Sequence, residues 1–149
     1  MTSTSKNKMV SKHFPSATND EKKSDTFSLA KARLGVLGGS GLYSIDRLKN
    51  VEEIQLETPY GQPSDSLRIG NLGDMEVVFL ARHGRHHTFT PTEVPYRANI
   101  WALRSLNVRW ILSPSAVGSL KEQIRPLDMV VPDQFIDRTH QRPLTFFNN

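Results

Sequence analysis

The chain is 149 residues long, enough for one modest domain with a real core, and it has no cysteine, which excludes disulfides, thiolate zinc sites and a cysteine nucleophile. Its formal charge of +4 is unevenly placed: residues 1–33 hold seven Lys/Arg against Asp20, Glu21 and Asp25, while the remainder carries twelve of each sign. The basic balance therefore gives no argument for nucleic-acid binding, and no apolar run reaches membrane-spanning length, so a soluble protein of a reducing compartment, the cytoplasm, is expected.

Residues 1–28 are rich in Ser, Thr, Lys and Asn, with few large apolar groups. Such a stretch cannot offset its own ordering entropy, so 1–32 is expected to be a disordered basic extension ahead of a domain over 33–149. A transit peptide is the rival, but no Arg precedes Arg33 and acidic residues are present. The fold is expected to begin with a short apolar strand at Arg33-Leu34-Gly35-Val36-Leu37, which empties into Gly38-Gly39-Ser40-Gly41-Leu42. Glycines there let the backbone turn sharply and approach a ligand, and the Ser40 hydroxyl adds a donor for a phosphate oxygen. A dinucleotide fingerprint is the competing reading, with Glu57 at a plausible distance for a ribose-binding acid. It lacks its third glycine, and Leu42 to Asn50 is too short for a crossover helix.

Val51–Glu57 alternates and reads as a strand with one wet face, followed by a turn-rich loop at Thr58–Pro63. Ser66–Gly70 and Met75–Ala81 flank Asn71-Leu72-Gly73-Asp74 and predict a β-hairpin. The second of these strands runs directly into Arg82-His83-Gly84-Arg85-His86-His87. Titratable groups at the end of a buried strand face a crevice, since the core would not accept them unpaired. Arg82 and Arg85 beside the imidazoles give a positive field that attracts an anion and repels a metal ion. A three-histidine metal site and a solvated basic loop remain the alternatives, though the stretch offers a metal no carboxylate or thiolate.

A helix is expected from about Pro95 to Leu106, with Tyr96, Ile100, Leu103 and Trp101 as its core stripe. Val108–Leu112 is the next strand, emptying into Ser113-Pro114-Ser115-Ala116-Val117-Gly118-Ser119. Arg125–Asp128 reads as a turn, and Met129-Val130-Val131 as the start of a further strand. Three strands thus end in small polar, glycine-rich or cationic segments. In an α/β sheet such ends converge on a ligand, and this convergence is the main argument for a site.

The segments Leu34–Leu42, Thr58–Asp65, Ala81–His87, Tyr96–Leu103, Ser115–Leu120 and Asp133–Thr139, in this order, resemble the 5′-methylthioadenosine phosphorylases of the trimeric purine nucleoside phosphorylase family. The resemblance runs from about Arg33 to the last residue and covers the N-terminal half of a family subunit. It implies an α/β fold with a mixed central β-sheet and flanking helices, cut short at Asn149. It also implies phosphorolysis of S-methyl-5′-thioadenosine to adenine and 5-methylthioribose 1-phosphate. The same function for methylthioinosine or inosine, or a non-catalytic phosphate-binding fragment, are the alternatives. By the resemblance Ser40, Arg82, His83, Ser115 and the Ala116 N–H hold phosphate, with His87 in a second tier. Ala116, Val117 and Gly118 line the base and ribose. No catalytic acid is assigned, because the family supplies it from the other half; Asp133 and Asp137 are carboxylates near the end, and Asp137-Arg138 reads equally as a local ion pair. No metal and no cofactor are expected beyond phosphate as co-substrate. A small-molecule nucleoside, a homotrimer, and no nucleic-acid or membrane partner complete the implication.

Overall fold

The computed structural model describes residues 33–39, 42 and 45–147; the expected disordered extension at 1–32 lies outside the described residues. The described elements are β1 (Arg33–Gly38), β2 (Lys49–Ile54), β3 (Leu67–Leu72), β4 (Met75–Ala81), α1 (Tyr96–Ser105) and β5 (Val108–Leu112). They form one five-stranded sheet in the order β2-β3-β4-β1-β5. The sheet is mixed: β2, β3 and β4 are an antiparallel meander, while β1 runs parallel to both β4 and β5.

The two faces of the sheet follow the period of two along each strand. Val78 and Leu80 of β4 face one way and pack with Leu37, Leu67, Ile69, Val108 and the α1 residues Ala102 and Leu103. Val77, Phe79 and Ala81 face the other way, with Val36 and the half-buried Leu34, Leu42, Ile45 and Leu48. Cover on both faces is why β4 reads as an unbroken apolar run. The hairpin joining β3 and β4 is tight. Leu72 pairs with Met75, leaving a two-residue turn in which Gly73 takes a φ of 61°.

Four expectations change. The strand expected over Val51–Glu57 is β2 at Lys49–Ile54, and Gln55–Glu57 leave the sheet. It is an edge strand exposed on both faces except at Ile54, with a register irregularity between Lys49 and Glu52. Its lysine and glutamates are what a sheet edge requires to refuse further pairing. In α1 the buried residues are Ala98, Asn99, Ala102 and Leu103, while Tyr96, Ile100 and Trp101 are half-buried. Small residues let the helix lie close to the sheet, so the stripe follows the alanines rather than the largest side chains. The helix stops at Leu106, and Asn107 turns the chain at a φ of 62°.

Residues 113–147 carry no helix or strand, so the strand expected at Met129-Val130-Val131 does not form; Met129 and Val131 are more than 90% exposed. A strand exists by pairing, and among the described residues none lies beside this segment. The turn at Arg125–Asp128 is present, closed by Asp128 N–H to the Arg125 carbonyl and Arg125 N–H to the Asp128 carboxylate. Asp137 accepts from the Thr139 N–H, and the expected Asp137–Arg138 pair is not among the ion pairs of the described residues. No helix among the described residues is long and apolar enough to cross a membrane.

Candidate functional site

Because β1, β4 and β5 are parallel neighbours, their carboxyl ends open on the same edge of the sheet. The Arg82 N–H donates to the Gly38 carbonyl at 2.8 Å, carrying the ladder one residue past β4. Beyond it the chain coils tightly, with Gly84 N–H to the Ala81 carbonyl and His87 N–H to the Gly84 carbonyl, both at 3.0 Å. Gly84 and His87 hold φ values of 75° and 54°, so the coil uses the left-handed region twice. The Phe89 N–H returns to the His83 carbonyl at 3.2 Å and closes the loop.

The three strand ends meet at Arg82. Its Nη2 donates to Ser115 Oγ at 3.2 Å, and its Nε lies 3.4 Å from His83 Nε2. A Cβ on Gly39 would lie 2.8 Å from Arg82 Nη2 and 2.9 Å from the Pro114 carbonyl oxygen. Glycine at 39 is therefore what lets the guanidinium lie across the end of β1 to reach the end of β5. Pro114 costs the site a backbone N–H, but its carbonyl forms part of this wall. His83 is buried, and its Nδ1 is 2.8 Å from the Phe89 carbonyl. A carbonyl oxygen can only accept, so Nδ1 carries the ring proton and bare Nε2 takes the Arg82 Nε–H. The exposed His87 ring stacks on His83 with centroids 4.9 Å apart and planes 20° from parallel.

The structure thus brings Arg82, His83, His87 and Ser115 together. Ser40 lies outside the described residues. For Ala116, Val117 and Gly118, which follow Ser115 in the chain, the structure shows no contact to Arg82 or His83 among the hydrogen bonds of the described residues. All three are exposed, Val117 by 83%, and a Cβ on Gly118 would meet nothing within 4 Å. The positive field expected from two arginines rests on one. The Arg85 guanidinium is neutralised by Asp65 at 2.7 Å and Glu53 at 2.6 Å, whereas Arg82 has no carboxylate partner among the described residues. Nor do three His, Asp or Glu come together among the described residues as a metal site would need. A cleft of about 340 Å³ bordered by Glu53, Asp65, Arg85 and His86 contains none of Arg82, His83 or Ser115.

Burial raises Asp65, but the hydrogen bonds of the Arg85 side chain and backbone and of the Ser66 N–H outweigh it and hold its carboxyl below the ordinary range. The Arg85 hydrogen bond does the same for Glu53, and the two carboxylates in turn raise the Arg85 guanidinium. A carboxyl lowered by folding contributes stability that is complete above its unfolded value of about 4 and is lost as pH falls through the folded value. The melting temperature is therefore expected to fall as pH drops below about 4. Glu53→Gln should flatten that drop in melts from pH 6 to 2, and an unaltered acid slope would remove this pair from the account.

Sequence reasoning gave no role to three residues. Ser64, Asp65 and Asn99 hold the Arg82 coil from beneath: Ser64 Oγ donates to the Ala81 carbonyl at 2.7 Å, and Asn99 Oδ1 accepts from the Ser64 N–H at 2.8 Å. The available signals were a run of small polar residues just before a strand and an asparagine within an apolar helix.

An arginine without a carboxylate partner among the described residues, an imidazole and a hydroxyl lie together at the ends of parallel strands, donors of the kind an oxyanion accepts, on an α/β sheet. The model of the phosphorylase superfamily matches residues 33–149, and the chain belongs to that family. The relatives can be named more narrowly. The S-methyl-5′-thioadenosine phosphorylase of Prochlorococcus marinus is 78% identical over 139 residues, 93% of this chain and 44% of that protein. The enzyme of the same name from Thermosynechococcus vestitus is 58% identical over 79% of this chain and 41% of its own length. Among solved structures, a methylthioadenosine phosphorylase from an antarctic soil metagenomic library superposes with a TM-score of 0.72 at 56% identity, covering 78% of this chain and 41% of that one. The chain spans well under half the length of these relatives.

Proposed function

We propose that this chain contributes the phosphate-binding part of an S-methyl-5′-thioadenosine phosphorylase, which cleaves the N-glycosidic bond with inorganic phosphate to give adenine and 5-methylthioribose 1-phosphate. One observation carries the reading: Arg82, without a carboxylate partner among the described residues, bridges the ends of β4 and β5 across Gly39. The phosphate is held by Ser40, Arg82, His83, Ser115 and the Ala116 N–H, with His87 behind His83. The base and ribose lie along Ala116, Val117 and Gly118. The 3.4 Å contact from Arg82 Nε to His83 Nε2 is long for a hydrogen bond, so an arriving phosphate readily replaces it on the guanidinium fork.

Cleavage builds an oxocarbenium-like sugar and a departing purine anion while phosphate attacks the opposite face. Arg82 neutralises and aims the phosphate, His83 donates to it once its bare Nε2 is protonated, and the two serine hydroxyls fix its orientation. The rate gain comes from positioning and electrostatics, with no covalent enzyme intermediate. The proton for the purine comes from outside residues 1–149. The reading includes no resident cofactor or metal, no nucleic-acid or membrane partner, a homotrimer, and a cytoplasmic location. Base choice stays within purine nucleosides, with methylthioinosine and inosine as the nearest other substrates.

A non-catalytic phosphate-binding role is the second reading, favoured by the exposure of Ala116, Val117 and Gly118. Calorimetric titration with inorganic phosphate, paired with an assay for adenine released from methylthioadenosine, separates the two. Phosphate-dependent adenine release supports the enzyme. Phosphate binding without release leaves the second reading, and absence of both removes the site.

A further inference from the structure

We propose that Asp65 is a positioning residue for the anion site, acting through Arg85 to fix the coil that presents Arg82 and His83. The inference rests on the phosphate reading of that site. The coil is expensive as it stands. Its own backbone bonds are short-range, and it places a non-glycine residue, His87, in the left-handed region, which costs about 1–2 kcal/mol. Such a conformation persists when surrounding groups over-determine it, and here those groups are Ser64 and Asp65.

On one flank of Arg82-His83, the buried Ser64 Oγ holds the Ala81 carbonyl. On the other, Asp65 Oδ2 accepts the Arg85 N–H at 2.6 Å. The same carboxylate grips the guanidinium, with Arg85 Nε 2.9 Å and Nη2 2.7 Å from Oδ1, and Oδ1 also takes the Ser66 N–H at 2.8 Å. Glu53 on β2 holds Arg85 Nη2 at 2.6 Å, tying the arrangement to the sheet. The Ser64 carbonyl lies 3.2 Å from where a Gly84 side chain would begin, so the bracket also closes under the glycine. The Asp65 side chain is only 12% exposed, a burial a carboxylate accepts when its oxygens are fully used. Residues on either side of Arg82-His83 are thereby pinned, and these two side chains are left aimed at the strand ends.

A comparable bidentate pair supplies the control. Arg33 and Glu76 are joined at 2.8 and 2.9 Å near the opposite ends of β1 and β4 from the site. The experiment titrates the 149-residue chain with inorganic phosphate by calorimetry and records the His83 ring nitrogen signals, for wild type, Asp65→Asn, Arg85→Lys and Glu76→Gln. Asp65→Asn is expected to weaken phosphate about tenfold, the equivalent of one hydrogen bond to a charged group. It should also turn the single Nδ1–H tautomer of His83 into a mixture. Arg85→Lys keeps the charge and loses the fork, and should weaken phosphate by a smaller factor. Glu76→Gln should lower the melting temperature with phosphate affinity unchanged. Wild-type affinity and His83 signals in Asp65→Asn overturn the proposal, as does affinity that falls in step with melting temperature in all three variants. Should Asp65→Asn fail to fold, wild-type affinity in Arg85→Lys overturns it equally. A wild-type chain that binds no phosphate refutes the phosphate reading itself.

Discussion

Replacing Arg82 with alanine is expected to weaken phosphate by about 100-fold or more, the equivalent of two charge-assisted hydrogen bonds. In a full-length enzyme carrying this chain, the nucleoside requirement should change by less than about threefold, because the side chain is lost from one substrate alone. The asymmetry is the informative part. Arg82 reaches the ends of two strands at once, touching Ser115 and crowding the Gly39 backbone, and it is not consumed by a carboxylate among the described residues. Arg82→Lys should recover little, since a single ammonium cannot supply the paired donors. Steady-state kinetics with each substrate varied in turn checks the claim, and equal loss for both substrates would sink the assignment.

Leu103→Ala is expected to cost about 3 kcal/mol of stability, lowering the melting temperature by roughly 12 °C or more. Leu103 is fully buried and is the largest α1 side chain in the cluster that joins the helix to β1, β3, β4 and β5. The expected loss is large because α1 touches the sheet chiefly through small residues. Ala98 and Ala102 bring it near, and Leu103 fills the space among Leu37, Leu67, Ile69 and Leu80, whose places in the sheet keep them from closing the whole cavity. Ile100→Ala, at a half-buried position of the same helix, should cost about 1 kcal/mol. Equal losses for the two would mean that the apolar size pattern, and not the alanine face, sets the packing.

The strands that carry the site were the most legible part of the sequence. β1, β4 and β5 are short apolar runs bounded by glycine, charge or proline, and each was placed to within a residue or two. What a run of residues cannot display is which neighbour a side chain will find. Arg82 and Arg85 look alike in Arg-His-Gly-Arg, yet one bridges strand ends and the other is taken up by Asp65 and Glu53. The partners of Arg85 lie 20 and 32 residues away in the chain, beyond any local pattern. Of the expected helix stripe Leu103 is buried while Tyr96, Ile100 and Trp101 are half-buried, for a related reason: size predicts burial poorly when close approach rewards alanine and a buried asparagine has a backbone N–H to receive. Met129–Val131 shows the opposite limit. A β-branched apolar run has strand propensity, but propensity without a partner leaves coil.

The position of β1 between two parallel neighbours divides the site into parts with different lifetimes. Opening β1 means breaking ladders on both of its sides, which is equivalent to unfolding the sheet, so the Gly38–Arg82 link persists as long as the folded state does. Ser115 lies past the end of β5, an edge strand, on a coil that packs little, and can swing away in a local fluctuation. On the proposed reading, an anion arriving at this edge would find its arginine already in place and gain its serine hydroxyl by capture, and residence time would be governed by the slower-forming, faster-failing arm.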